Sequence, residues 1–471
     1  MKTLRPRSRR LTQTLAVLGA LTTAAPFTSA AFTPTGAGPY DYNNTANWGS
    51  GTINNQFSTN PAAHQTIFFA ADTTLTSTLS ITNTGTFNHT FIGSGDRTIT
   101  LGGSLAFFGT GSNLNSVTIG STNAGEKLNI SLGGTARKFE PAANRTLDIL
   151  NVISGTGTEG ISKEGAGTLR LSNTANTFTG GVSFLNAGGV LEVTKLANGG
   201  EDSSIGKSDN QATRLSFGGS ATGTLRYIGA GDSTDRRFNI GGVGAIFDAS
   251  GTGAINWTNT SAPSYSSTGQ ARTITFKGTN TGTNTMSASF ADSGAGKTAF
   301  TKDGAGTWVL SGNNTATGDI TVMAGKLAIG SSNRLGDTAR LVMNGGTFST
   351  EGFAETLGTL QLTGNSTIDL GNNATGSALV FASSALEIWS ASVSLNIINF
   401  TDGTDSVFFG AGGLSPDQIA QIRINGTHYA LLDGSGYLIL GAAIPEPSTY
   451  ALLAGLGGLL LTVSRRQRRA A

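Results

Sequence analysis

Chemistry in this chain, if present, would start from a few stretches. ADSGAGKT (291–298) keeps Gly296, Lys297 and Thr298 of a phosphate-cradling loop, but Ala291 stands where the first glycine belongs. Such a loop must open a helix so that amides and helix dipole meet the phosphates. FTKDGAGTWVLS follows instead and reads as strand, so a glycine-rich corner is expected. GTGTEG (155–160) fits G-x-G-x-x-G, yet no helical pattern follows it. His64, His89 and His428 are scattered, and cysteine is absent, so neither a zinc site nor a disulfide framework is expected. No G-x-S-x-G occurs. Asp402 and Asp405 read as a surface turn, too short for a calcium loop. Asp232, Asp235, Arg236 and Arg237 form the best acid–base cluster, of a kind that a polysaccharide lyase on a β scaffold would use. No second cluster supports it, so no catalytic residue, metal or cofactor is expected.

The elements that would position these residues are short. Runs such as TTLTSTLSIT (73–82), RTITLGGSLAFF (97–108), KLNISL (127–132) and VLEVT (190–194) alternate apolar and polar residues between Gly, Asn and Asp turns. Glycine is abundant at 68 residues, charged residues make up 12% and no long helical period appears, so the body is read as all-β. Two stretches repeat one another: KEGAGTLRLSNTANTFTGGVSFLNAGGVLEV (163–193) and KDGAGTWVLSGNNTATGDITVMAGKLAI (302–329). Each holds three short strands between Gly and Asn corners. Units of this kind stack rung upon rung, as in a solenoid.

The two ends explain the charge balance. The chain carries 30 Lys and Arg against 28 Asp and Glu. Five of the basic residues (Lys2, Arg5, Arg7, Arg9, Arg10) and four more (Arg465, Arg466, Arg468, Arg469) lie in the extreme ends, which hold no acid. The body is therefore acidic, and a nucleic-acid surface is not expected. The basic start, the apolar stretch to about residue 26 and the small residues Thr28, Ser29 and Ala30 read as a signal peptide over 1–30, with the Sec translocon as partner. At the other end, Pro445, Glu446, Pro447, Ser448 and Thr449 precede an apolar run over 450–463 and the arginine cluster. Fourteen residues of helix reach roughly 21 Å, short of a bilayer core of roughly 30 Å. The arginines hold the C-terminal side in the cytoplasm. A weak, cleavable membrane hold is expected, with a permanent tail anchor as its competitor.

These residues carry two resemblances. Lys163, Gly165, Gly167, Leu169, Leu171 and Ser172, and again Lys302, Gly304, Gly306, Leu310 and Ser311, resemble the autotransporter-associated β-strand repeat, with Trp308 in place of the usual leucine. Residues 356–371 look like a degenerate further copy. The resemblance implies a right-handed parallel β-helix over 31–384, with Gly165, Gly167, Gly304 and Gly306 at corners where a side chain or a negative φ is not tolerated. At 20 to 25 residues per turn, a rod of roughly 65 to 85 Å is expected. Residues 385–443 read as a C-terminal β cap, with a short helix capped by Ser415 and a hairpin turning at 433–436.

The tail over 444–471 resembles the PEP-CTERM sorting signal, which implies a single C-terminal sorting helix and an exosortase as processing partner. The implied route is secretion across the inner membrane of a Gram-negative-type bacterium, transient anchoring, then the cell surface or extracellular space. The repeats run into this tail and not into an outer-membrane barrel, so self-export as an autotransporter is not expected. Two function classes survive: a non-enzymatic surface or matrix protein, structural or adhesive, whose Thr, Ser and Asn faces could lie along extracellular polysaccharide; and a polysaccharide-acting lyase or hydrolase on the same scaffold.

Overall fold

The computed structural model describes residues 40–43, 56–59, 65–83, 88–109, 116–155, 157–186, 188–372 and 375–444. The expected signal peptide, the sorting motif Pro445 to Thr449, the sorting helix and the arginine cluster lie outside these described residues, as does His64.

The chain winds repeatedly past three faces. The first is a fourteen-stranded sheet running from Tyr40–Asp41 to Leu360–Gly364. The second begins as a four-stranded sheet from Thr73–Leu75 to Ile153–Ser154. It resumes as an eleven-stranded sheet from Ala230–Thr234 to Leu438–Ala443. The third is a nine-stranded sheet from Gln56–Thr59 to Ser264–Tyr265, followed by a three-stranded one from Glu355–Leu357 to Ser406–Phe408. A typical turn takes Ser116–Ile119 on the first face, Leu128–Ser131 on the second, Arg137–Pro141 on the third, then Thr146–Ile149 back on the first. These are long parallel sheets stacked as in a β-solenoid.

Alternation explains why the sequence coils this way. Strand after strand reads buried, half-buried, buried, as in His89–Gly93 and Thr298–Lys302. One face of every strand turns inward, and the parallel register places each inward residue over its counterpart in the next turn. Phe247 and Phe276 stack in this way, with ring centroids 6.1 Å apart, and the inward column continues through Lys302 to Val322. Fourteen rungs at about 4.8 Å make the first face about 62 Å long.

Turn length varies more than the expected 20 to 25 residues. Leu341 pairs with Leu360, 19 positions on, whereas Val193 pairs with Tyr227, 34 positions on. The long turn holds the excursion over 194–214, which interrupts the second face. Parallel stacking also continues beyond the cap boundary expected at 385. Leu395–Ile398 pairs with Ser366–Asp369 and with Ile422–Ile424, both parallel. Among the described residues, antiparallel ladders come only with the last hairpin, His428–Leu432 with Leu438–Ala443. The short helix Pro416–Ala420 forms as the sequence indicates. Ser415 accepts from the Gln418 amide, and the Gln418 side chain reaches back to the Ser415 amide. Among the described residues no helix is long and apolar enough to cross a membrane.

Candidate functional site

The repeat motif builds a corner, and its lysine is inside. Lys163 and Lys302 are both fully buried. Lys163 ends the strand Ile161–Lys163 and stacks between Phe139 and Phe184 in register; Lys302 ends Thr298–Lys302 between Phe276 and Val322. The Lys163 ammonium donates to the carbonyls of Glu164 (2.8 Å), Gly165 (2.6 Å) and Gly188 (3.4 Å). The Lys302 ammonium donates to Asp303 (2.9 Å), Gly304 (2.7 Å) and Ala324 (3.0 Å). In each copy two acceptors belong to the lysine's own corner and the third to the corner of the next turn. Burial pushes Lys163 down to about 7 and Lys302 down to about 8.

The glycines divide the work. Gly165 and Gly304 have φ of 67° and 73°, in the left-handed region. Gly167 and Gly306 do not. There the constraint is close approach: a Cβ at Gly167 would stand 2.1 Å from the Ala142 carbonyl oxygen, and one at Gly306 2.5 Å from that of Asn280. The expected intolerance of a negative φ thus applies to one glycine of each pair only.

After the corner, Leu169 and Leu171 in one copy and Trp308 and Leu310 in the other point inward. A buried asparagine then links three turns. Asn176 accepts from the Ile153 amide (2.8 Å) and donates to the Ser204 carbonyl (2.8 Å). Asn314 does the same with the Phe290 amide (2.9 Å) and the Arg334 carbonyl (2.8 Å). Glu355 continues that second column by accepting from the Arg334 amide (2.7 Å), and burial pushes its carboxyl up to about 7. Equivalent motifs occupy different corners. The first copy turns from the third face to the first, and the second copy from the first face to the second.

Sequence reasoning named the lysines without their role. Parity held the signal: Ile161 and Lys163, like Phe300 and Lys302, are two apart and so share the inward side.

The outward side of the first face carries two columns. One contains Asp148, Arg170, Glu192, Arg226 and Asp248, each directly beside the next in register. Signs alternate along it, with contacts of 3.6 Å for Arg170 to Asp148, 2.6 Å for Arg170 to Glu192, and 2.9 Å for Arg226 to both Glu192 and Asp248. The other column includes Ser116, Thr146 and Thr168, and further on Thr275, Thr301 and Thr321.

The candidate chemistry does not converge. Arg236 is buried and donates to the carbonyls of Leu196, Ser208 and Gly206. Asp232 accepts from the amides of Leu196 and Ala197, and Asp235 from that of Gly199. The cluster pins the 194–214 excursion. Ser293 and Gly296 bridge one another in a tight turn, and Thr298 opens a strand. Within that stretch the Asp292 carboxylate accepts from the amides of Thr298 and Thr317. Asp405 accepts from the Thr401 amide within its own turn and from the Ser377 amide of the preceding coil. Among the described residues no group of three or more His, Cys, Asp or Glu side chains could hold a metal ion.

Comparison with known proteins fits this geometry. Residues 161–193 and 300–329 match the passenger-associated-transport repeat, and residues 443–469 match the PEP-CTERM protein-sorting motif. The adhesin BmaC autotransporter of Brucella suis biovar 1 (strain 1330) is 45% identical over 157 residues. That match covers 33% of this chain but only 4% of the adhesin. No solved structure matches the chain. The sorting motif implies export and processing by an exosortase. The chain is thus a stacked β protein with two passenger-associated-transport repeats and a PEP-CTERM sorting motif, distantly related to an adhesin autotransporter.

Proposed function

We propose that the mature chain is a non-enzymatic cell-surface or extracellular-matrix protein, structural or adhesive, whose faces lie along extracellular polysaccharide. The hydroxyl column through Thr275, Thr301 and Thr321 carries this reading. Between Ile246 and Val342 it repeats one hydrogen-bonding group on three successive turns at about 4.8 Å, so a polymer can make the same weak contact at each. The relation to an adhesin supports it, as does the use of Asp232, Asp235 and Arg236 in holding backbone. The coil is proposed to be right-handed, the hand that crossovers between parallel strands adopt. The secretory route is proposed to run through the Sec translocon, with residues 450–463 held briefly in the inner membrane of a Gram-negative-type cell until an exosortase cuts near Pro445 to Thr449.

The test incubates secreted protein with acidic and neutral polysaccharides and follows both binding and product release. Binding without new reducing or unsaturated ends is expected. Turnover of any polysaccharide would replace this reading with the lyase or hydrolase one. For sorting, C-terminal peptide mass spectrometry should find secreted protein lacking residues from about 450 onward. Replacing Pro445, Glu446 and Pro447 by alanine should leave a longer, membrane-retained form. Intact Arg469 in every wild-type fraction would leave the permanent anchor.

A further inference from the structure

Exposed apolar side chains gather at the end of the coil from which the tail leaves. Eight large hydrophobic residues stand exposed among the described residues, and six of them lie between Leu386 and Ile439. The final hairpin holds the core of this patch. Leu431 faces Ile439 directly across the two strands, and Tyr429 faces Arg423 of the preceding strand. Tyr429 is 40% exposed, Leu431 50% and Ile439 38%, while Ala430 and Leu438 between them are buried. The Arg423 guanidinium stacks over the Tyr429 ring at 4.6 Å. Asp433 at the hairpin tip is turned into its own loop, accepting from the amides of Ser435, Gly436 and Tyr437. One side of the last strands therefore presents tyrosine, leucine, isoleucine and arginine together.

The path of the chain indicates what covers this side. The last strand ends at Ala443, and the Ile444 amide donates to the Thr427 carbonyl at 2.7 Å, which fixes the exit against the hairpin. The apolar run begins at Tyr450. Six residues span at most roughly 20 Å even fully extended. While 450–463 occupy the membrane, the hairpin stays within that distance of its surface.

We propose that Arg423, Tyr429, Leu431 and Ile439 form a docking face for the lipid surface, which holds the precursor end-on at the membrane. Tyrosine rings settle at the headgroup level, arginine pairs with lipid phosphate, and the aliphatic pair leaves water. The joint at Pro445 to Thr449 is thereby kept at the interface. This inference rests on the reading of 450–463 as a membrane segment.

The absence of cysteine makes single-site labelling direct. Full-length precursor carrying Leu431→Cys, Thr118→Cys or Leu453→Cys is labelled with an environment-sensitive fluorophore. Each is then bound to phosphatidylglycerol-containing vesicles doped with a lipid-attached quencher. Leu431 should blue-shift and be quenched several-fold more than Thr118, which lies on the first face many turns away. Leu453 should be quenched most. Quenching at Leu453 with Leu431 no different from Thr118 overturns the docking face and leaves the membrane segment standing. No quenching at Leu453 overturns the membrane segment itself. A response at Leu431 seen only in membranes containing the exosortase assigns the face to that enzyme and overturns the lipid. In the unlabelled chain, Leu431→Ser with Ile439→Ser should weaken vesicle binding several-fold without changing the melting curve; unchanged binding counts against the proposal.

Discussion

The Lys302 ammonium donates to the Ala324 carbonyl at 3.0 Å, joining the corner of one turn to the corner of the next. Lys163 makes the equivalent bond to Gly188. A lysine Nζ has three donors and each of the two lysines finds three carbonyls, so the side chain satisfies corner carbonyls that are bent out of the ladders. The aliphatic stem lies in the apolar column while the head serves the corner.

Lys302→Met keeps the stem and removes the donors. It should cost about 1–3 kcal/mol, the penalty of leaving buried carbonyls without partners. The half-buried Lys277→Met should cost less. Chemical denaturation of both variants compares them directly. A destabilisation by Lys302→Met no larger than that of Lys277→Met would show that the corner does not depend on the lysine.

Stability should pass through a shallow minimum near pH 7. Lys163 and Lys302 titrate near 7 and 8 in the fold, below the ordinary 10.5, so the folded state binds fewer protons than the unfolded over that span. Their contribution is present above about pH 10.5 and is lost as pH falls to about 7. Glu355 titrates near 7, above its ordinary 4.5. Its contribution is present below about pH 4.5 and is lost as pH rises to about 7. Urea midpoints measured from pH 5 to 10 should dip in the middle. Glu355→Gln should flatten the acid side only, and Lys163→Met with Lys302→Met the alkaline side only.

Gly306→Val places a branched side chain where even a Cβ meets the Asn280 carbonyl oxygen at 2.5 Å. Thr315→Val changes an exposed residue of the same turn. The first should lower stability by about 1–3 kcal/mol and the second by less than about 0.5 kcal/mol. Equal shifts in thermal melting would remove the case for close packing at that corner.

The central Glu192 of the charge column serves two arginines from a nearly buried position, its side chain 8% exposed. Glu192→Gln should cost about 1–3 kcal/mol, because both guanidinium groups lose an anionic partner. The pair Arg340–Asp319 is far more open, with Asp319 46% exposed. Asp319→Asn should cost less than about 1 kcal/mol and should lose its effect in high salt. Double-mutant cycles with Arg226→Ala and Arg340→Ala distinguish the two situations.

Much of this protein is written locally. The alternation in TLRL (168–171) and TWVL (307–310) sets which side chains enter the core, whatever the rest of the chain does. The positive φ of Gly165 and Gly304 belongs to a tight corner that two glycines in K-x-G-x-G announce. Ser415 with Gln418 specifies the short helix Pro416–Ala420, and Pro445-Glu446-Pro447 with its basic end specifies the sorting motif. Other features depend on what the next turn supplies. Whether Lys302 meets its third carbonyl, Arg170 meets Glu192, or Asp232 meets a free amide is decided by residues 22 to 36 positions away. Turn lengths of 19 to 34 residues set those partners, and no local pattern counts them. For the same reason one motif serves two different corners. Its own residues determine the bend, while the residues accumulated before it determine which face the bend joins.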